Sequence, residues 1–409
     1  MPPDARIPVL HVITRLVVGG AQENTLLTVE RLARDRYAVT LASGPTSGPE
    51  GTLEHGLPPG VPFIRIPELV RDLHPILDVR ALCRLYALMR RGRYKIVHTH
   101  TTKAGLLGRV AARLARVPIV VHTPHGHAFH DYLNATGSTA LIQVERWLTG
   151  FTDRVLCLTE AERQDHLRLR IGPAEKFDVV HSGIDIERFR QAGTPVPRET
   201  ARAALGLPAD GFVVGCVARL APVKGVQHLL EAVPAVLAAV QKATFIIVGD
   251  GPLRAQLERR ACALGIDGGV RFLGLRRDIP DLMSLCDVMV LPSLNEGMGR
   301  AAVEALAAGR PVIGSRVSGI QDIVADEETG LLVPPADPRA LADAIVRCCA
   351  DRALLSAMGQ RAGRGVERFG IVPMIADIDS LYVRLLNERT GGRAVNDGHA
   401  ASPKGGECA

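Results

Sequence analysis

The chain has 409 residues, of which 47% are hydrophobic and 22% charged, with a formal net charge of +6. That is ordinary globular composition with enough material for two cores. No apolar run reaches the roughly 18–20 residues of a membrane span, and eight scattered cysteines without a C-x-x-C pair argue against a disulfide frame or a cysteine zinc site. The opening stretch MPPDARIPVLHVI lacks the apolar core and cleavage site of a signal peptide, so the expectation is a reduced, cytoplasmic protein.

Residues 7–190 alternate short apolar runs with amphipathic helical patterns. Strands are expected at 7–13, 37–43, 61–66, 95–100, 119–124, 154–159 and 177–182. Residues 186–210, rich in glycine and proline, read as a linker region. The alternation restarts with strands at 212–218, 244–250, 270–274, 288–292, 311–315 and 331–335. The predicted fold is α/β, with two Rossmann-like, doubly wound parallel-sheet domains, 1–190 and 191–370, facing across a cleft. A last helix over 371–388 is expected to pack back toward the first domain, and the glycine-rich polar tail 389–409 to be disordered. Ligands in such sheets bind beyond the carboxyl ends of the strands.

Several turns at those ends carry candidate chemistry. Gly19 and Gly20 open a helix after the first strand, where backbone can close on a diphosphate; a plain helix start reads equally well. Six histidines fall between residues 98 and 130: His98, His100, His122, His125, His127 and His130. No partner pattern for zinc accompanies them, and some are expected to line the cleft, with His125 at a strand end placed to bond a sugar hydroxyl or phosphate. Arg219 follows one strand and Lys224 lies just before the next helix, a planar fork and a point charge suited to a diphosphate. Gly249, Asp250 and Gly251 form another strand-to-helix turn where a base or ribose could lie against backbone, and Leu275 offers a second wall.

The densest signal is 288–316, which reads strand, glycine turn, helix, strand. Glu296, Gly297, Met298 and Gly299 make the turn, and Arg300 begins a helix that carries Glu304. A helix N-terminus attracts anions, and carboxylates accept bonds from sugar and ribose hydroxyls. The alternative is a solvated glutamate at a helix start and another on an exposed face.

Together GGAQENTL, HTPHGHAF, R-L-x-x-x-K-G, VGDGP and EGMGRAAVEA resemble the retaining family-4 glycosyltransferases of GT-B fold, over roughly residues 7–388. The resemblance implies transfer of a hexose-type sugar, with retention, from a nucleoside-diphosphate-sugar such as a UDP-sugar. The acceptor would be a saccharide or lipid-linked molecule of cell-surface polysaccharide or glycolipid synthesis. It implies no cofactor and no obligatory metal. By the same resemblance, Arg219 and Lys224 would grip the diphosphate, Glu304 the ribose, and Glu296 the sugar. The amides of Gly297–Arg300 would contact sugar or phosphate, His125 would lie near the reacting carbon, and Gly19-Gly20 would close over the phosphates. Glu296 can be read as nucleophile or as a positioning group. Arg300, where many members carry an aliphatic residue, is an added cation with the potential to alter sugar choice, and Gln321-Asp322 receives no role.

A sugar-nucleotide epimerase and a non-catalytic nucleotide-sugar or polyanion binder are the competing readings. A nicotinamide dehydrogenase and nucleic-acid binding lack their motifs. Between Asp78 and Asp131 no acidic residue occurs, and basic residues crowd two helical stretches. On the first, starting near Val79, Arg80 and Arg84 share a face, with Val79, Leu82, Tyr86 and Met89 as the apolar stripe; on the second, Arg109, Arg113 and Arg116 align. These five arginines are the candidates for an anionic membrane surface, which is the further expected partner.

Overall fold

The computed structural model describes residues 6–46, 51–126, 135–193 and 197–389. The first half contains strands β1 (Ile7–Ile13), β2 (Tyr37–Ser43), β3 (Phe63–Arg65), β4 (Ile96–His100), β5 (Ile119–Thr123), β6 (Arg154–Cys157) and β7 (Phe177–Val179). Helices α1 (Gly20–Arg31), α2 (Pro75–Gly92), α3 (Thr102–Ala115), α4 (Ala135–Gly150) and α5 (Glu160–Arg168) connect them. The strand order is β3-β2-β1-β4-β5-β6-β7, with parallel pairing. Every residue of β4 and β5 is buried, as expected of strands covered on both faces. β3 and β7 are shorter than their apolar runs because they are edge strands, paired on one side only.

The second half holds α6 (Ile186–Arg190), α7 (Arg198–Ala204), β8 (Phe212–Val217), α8 (Val226–Ala239), β9 (Ala243–Val248), α9 (Arg254–Ala263), β10 (Val270–Gly274) and α10 (Ile279–Leu285). β11 (Val288–Leu291), α11 (Arg300–Ala307), β12 (Val312–Ser315), α12 (Ser318–Gln321), β13 (Gly330–Val333), α13 (Pro338–Ala350), α14 (Arg352–Ala362) and α15 (Ile371–Arg389) follow. Its order is β10-β9-β8-β11-β12-β13, again parallel. The stretch 186–210 is more than a linker, since it carries α6 and α7; Asp185 accepts the Arg188 amide at 3.3 Å and starts the first of them. Of the expected tail, Arg389 ends α15, and 390–409 lie outside the described residues.

Each sheet is doubly wound about its first strand, so the order reverses between β1 and β4 and between β8 and β11. Those are the two positions where loops diverge and leave room for a ligand. The cores sit on both faces of each sheet. α15 crosses back to the first half, where Met374, Ile378, Leu381, Tyr382 and Leu385 join the cluster around β1, β2 and β4. Arg36 and Tyr37 both donate to Asp379 and fasten the same helix by polar contacts.

Candidate active site

β8 and β11 are neighbours, so the turns that leave them lie side by side. Pro222–Lys224 forms a 3-10 turn that ends at Gly225, whose φ of 63° and approach to the Pro292 carbonyl exclude a side chain. This turn carries Lys224 to Glu296: Nζ donates to Oε1 at 2.7 Å and to Oε2 at 2.8 Å, and Ser293 Oγ donates to Oε1 at 2.8 Å. Arg219 stands exposed at the end of β8. Glu304, one turn into α11, is largely enclosed; burial pushes its carboxyl above the ordinary range, and the Arg300 guanidinium at 4.0 Å pulls it back. Two cations and two carboxylates thus gather at the reversal point of the second sheet. The Gly299 and Arg300 amides, expected to face a ligand, are taken by the Gly319 and Met298 carbonyls. The Met298 side chain is buried at the junction of the halves, with its sulfur accepting the Ser182 amide.

From the first half, the turn after β5 meets the turn after β11. A Cβ on Gly297 would lie 2.6 Å from Gly126 Cα, so the two glycines pack backbone to backbone. Thr159 Oγ1 donates to the Gly297 carbonyl at 3.3 Å. Asp322, to which the sequence assigned no role, accepts the Ala161 amide at 3.1 Å across the same boundary. His125, at φ 62°, stands directly before Gly126, and its Nε2 lies 3.0 Å from His100 Nδ1. Burial, with Arg300 nearby, lowers its pKa to about 3, so the ring is neutral. The expectation that several histidines line the cleft is corrected: His98, His100 and His122 are buried within the sheet, and His127 and His130 lie outside the described residues. The possible ligand atoms of His11, His98 and His100 lie within 4.8 Å of one another. Each of those ring nitrogens already has a hydrogen-bond partner.

Arg300 is a clamp between the halves. Its Nη1 donates to Ser182 Oγ at 2.8 Å and the Gly183 carbonyl at 3.1 Å, and its Nη2 to Glu23 at 3.1 Å. Asn24 Oδ1 receives both Ser182 Oγ and the Gly183 amide. Gly20 serves this clamp, since a Cβ there would meet Arg300 Cδ at 2.7 Å; a Cβ on Gly19 would meet only the Gln22 side chain. The turn at Gly249–Gly251 packs closely on protein. Cβ atoms on the two glycines would strike the Ala218 and Leu220 carbonyls at 2.1 and 2.5 Å, so the loop after β8 lies directly against this turn. Asp250 pairs with Arg254, and Leu275 is exposed at the end of β10.

The basic face expected on the second helix is corrected at Arg109, while Arg80 and Arg84 on α2 are exposed as expected. Arg109 is fully buried between α3 and α4 and bonds both oxygens of Glu145, at 2.7 and 2.8 Å. α2 begins at Pro75 and buries Ala81, Leu85 and Met89, while Val79 and Tyr86 are exposed. Arg80 and Arg84 are exposed beside Glu68. Arg113 and Arg116 close α3 and, with Asp153, Lys176 and Arg389, line a cavity of about 280 Å³. That cavity is at the amino ends of β5, β6 and β7, opposite the candidate site.

Residues 18–188 match the family described as Glycosyltransferase Family 4, and residues 211–351 that described as Glycosyl transferases group 1. The chain is 33% identical over 389 residues to the UDP-Gal:alpha-D-GlcNAc-diphosphoundecaprenol alpha-1,3-galactosyltransferase of Escherichia coli, covering 93% of this chain and 98% of the relative. A D-inositol 3-phosphate glycosyltransferase of Streptomyces bingchenggensis is 34% identical, over 69% of this chain and 64% of its own. Among solved structures, Anabaena Alr3699/HepE in complex with UDP and glucose superposes with a TM-score of 0.78 at 26% identity, covering 93% of this chain and 100% of that one. The matches cover both halves and the turns just described, and the chain therefore belongs to the group 1, family-4 glycosyltransferases of GT-B fold.

Proposed function

We propose that the protein moves a hexose from a UDP-hexose, with retention, to a lipid-linked saccharide acceptor in cell-surface glycan synthesis. The observation that carries this reading is the meeting of the Lys224–Glu296 pair with the His125 turn, where Gly126 and Gly297 touch. A donor lying across this contact has its diphosphate beside Arg219 and Lys224, its ribose toward Glu304, and its sugar between Glu296 and His125. The UDP and glucose of the Anabaena neighbour and the named substrates of the E. coli relative support the donor and acceptor classes.

In the reaction, the bond from the anomeric carbon to the β-phosphate oxygen breaks as the acceptor oxygen bonds the same face of that carbon. The acceptor proton leaves on the departing phosphate. Arg219 and Lys224 stabilise the growing charge on the diphosphate, as preorganised cations do in an enclosed site. Glu296, with both oxygens on Lys224, acts as an oriented acceptor for sugar hydroxyls more readily than as a free nucleophile. With the cations supplied by side chains, turnover should persist in chelator; activity lost with chelator and restored by magnesium or manganese would contradict that part.

The test is to incubate the purified protein with UDP-galactose and UDP-glucose, with and without a diphospholipid-linked N-acetylglucosamine. Acceptor-dependent UDP release and an α-linked disaccharide are expected. Epimerised donor without acceptor, or no turnover of either donor, would overturn the reading.

A further inference from the structure

A continuous row of hydrogen bonds runs through the core of the first half to His125. Strand register places His11 beside His98, and His100 beside Thr123. His98 and His100 lie two apart and share a face of the sheet, and α15 lays Tyr382 against that face. Thr123 Oγ1 is 2.8 Å from His98 Nε2, and His98 Nδ1 is 2.7 Å from the Tyr382 hydroxyl. That hydroxyl is 3.5 Å from His11 Nε2, the weakest link. His11 Nδ1 is 3.0 Å from His100 Nε2, and His100 Nδ1 is 3.0 Å from His125 Nε2. Burial pushes all four imidazoles well below their ordinary pKa and the Tyr382 phenol above its own. Every member is therefore neutral and carries one hydrogen.

Counting hydrogens fixes the direction of the row. If Thr123 donates to His98, then His98 Nδ1 donates to Tyr382, Tyr382 to His11, His11 Nδ1 to His100, and His100 Nδ1 to His125 Nε2. Each link then has one hydrogen, and each internal hydrogen has an acceptor. In the reverse direction, the hydroxyl hydrogen of Thr123, itself only 3% exposed, has no acceptor among the described residues. If His11 and His98 both donate to Tyr382, the phenol hydrogen is stranded instead. Buried polar hydrogens are rarely left unpaired.

We propose that this row is a positioning device that fixes His125 as the tautomer carrying its hydrogen on Nδ1. His125 then offers the cleft an N–H donor rather than a lone pair. It can bond a sugar oxygen, or an oxygen gaining charge as the donor breaks down, and it cannot take the acceptor proton as a base. The catalytic part of this inference rests on the reading of His125 as sugar-facing; the tautomer does not.

The experiment is nitrogen-15 NMR of the full-length protein labelled on histidine, with the His125 signals identified by their loss in His125→Gln. The wild type should show Nδ1 as the protonated nitrogen and Nε2 as the bare one. Thr123→Val and Tyr382→Phe, which remove the groups that set the direction, should each give a mixture of tautomers, and Thr123→Ser should restore the single form. Turnover should fall in proportion to the lost Nδ1–H fraction, at unchanged KM for the donor. Hydrogen on Nε2 in the wild type, or a tautomer unmoved in both variants, overturns the proposal. Stoichiometric zinc on the row, found by elemental analysis, would do the same, because a metal takes the lone pairs that the links require. A tautomer that shifts while turnover does not would overturn the positioning role. The shifts are read without substrate, so failure of the sugar-transfer reading would be seen separately, in the wild-type assay.

Discussion

Lys224 and Glu296 are bound to each other before any substrate arrives, so they behave as one unit. Lys224→Ala and Glu296→Ala are each expected to lower turnover about 10²–10³-fold, the usual effect of deleting one preorganised electrostatic group. The double variant should lose little more than either single one, because groups that act together are not additive. Circular dichroism should stay unchanged; near-normal turnover in either single variant would refute the assignment. Glu162 carries a different prediction. It is fully buried at the start of α5, and its carboxyl is pushed from 4.5 to about 7 by burial, with the Leu158 and Gly126 amides pulling it back. The folded protein therefore holds this proton more tightly than the unfolded chain does. The resulting stabilisation is complete below about pH 4.5 and is lost as pH rises through about 7. It amounts to something on the order of 3 kcal/mol. Glu162→Gln has no charge to bury and should gain on the wild type between acid and mildly alkaline pH. Urea unfolding of both proteins at the two ends of that window checks it, and a wild-type-to-variant difference that does not move with pH would rule it out.

At the scale of elements, both sheets were legible because their strands are continuous apolar runs ended by glycine and proline turns. The rule that ligands sit at strand carboxyl ends singled out Lys224, Glu296 and His125, and the structure pairs Lys224 with Glu296 and packs Gly126, next to His125, on Gly297. What those residues touch was not legible. Spacing shows that Arg109 and Arg113 lie on one side of α3, but not that α4 covers the first of them with Glu145. Glycines 20, 249 and 251 signalled close approach, yet the sequence does not say whether a phosphate or the protein fills the gap. In all three cases a side chain would run into protein, Arg300 at Gly20 and the loop after β8 at Gly249 and Gly251. Asp322 has no local signal because its partner, Ala161, is distant in the chain. The buried Arg109 pair supplies the test at this scale. Arg109→Ala leaves Glu145 without its partner and should destabilise the fold by about 3–5 kcal/mol, whereas exposed Arg113→Ala should change it by less than about 0.5 kcal/mol. Chemical denaturation of the two variants separates these outcomes, and equal effects would contradict the packing.

Over the whole molecule, Arg300, Asp322 and Thr159 tie the halves together around the candidate site, while α15 anchors the second half to the first. The two basic groups of the first half sit at opposite ends of this assembly. A helix in a β-α unit starts at the carboxyl end of its strand, so the beginning of α2 lies on the side of the site and the end of α3 on the far side. Arg113 is about 16 Å along α3 from its start. If the cleft takes the proposed lipid-linked acceptor from a bilayer, the start of α2 is the end that would meet it, and Arg113 and Arg116 face away. That end exposes Leu73, Ile76 and Val79, at 87%, 67% and 61%, with Arg80 and Arg84 following. Apolar side chains rimmed by cations suit the interface of an anionic bilayer, where each cation contributes about 1 kcal/mol and salt weakens the attraction. Among the described residues no helix is long and apolar enough to cross a membrane. In co-sedimentation, the protein should bind vesicles containing phosphatidylglycerol and bind neutral ones weakly. Ile76→Asp with Val79→Asp should abolish binding at all salt concentrations. Arg80→Glu with Arg84→Glu should weaken it most at low salt, partly offset by the loss of their pairing with Glu68. Arg113→Glu with Arg116→Glu should leave it unchanged; if that variant alone releases the protein, the docking face is at the other end and the cleft cannot receive its acceptor from the bilayer in this way.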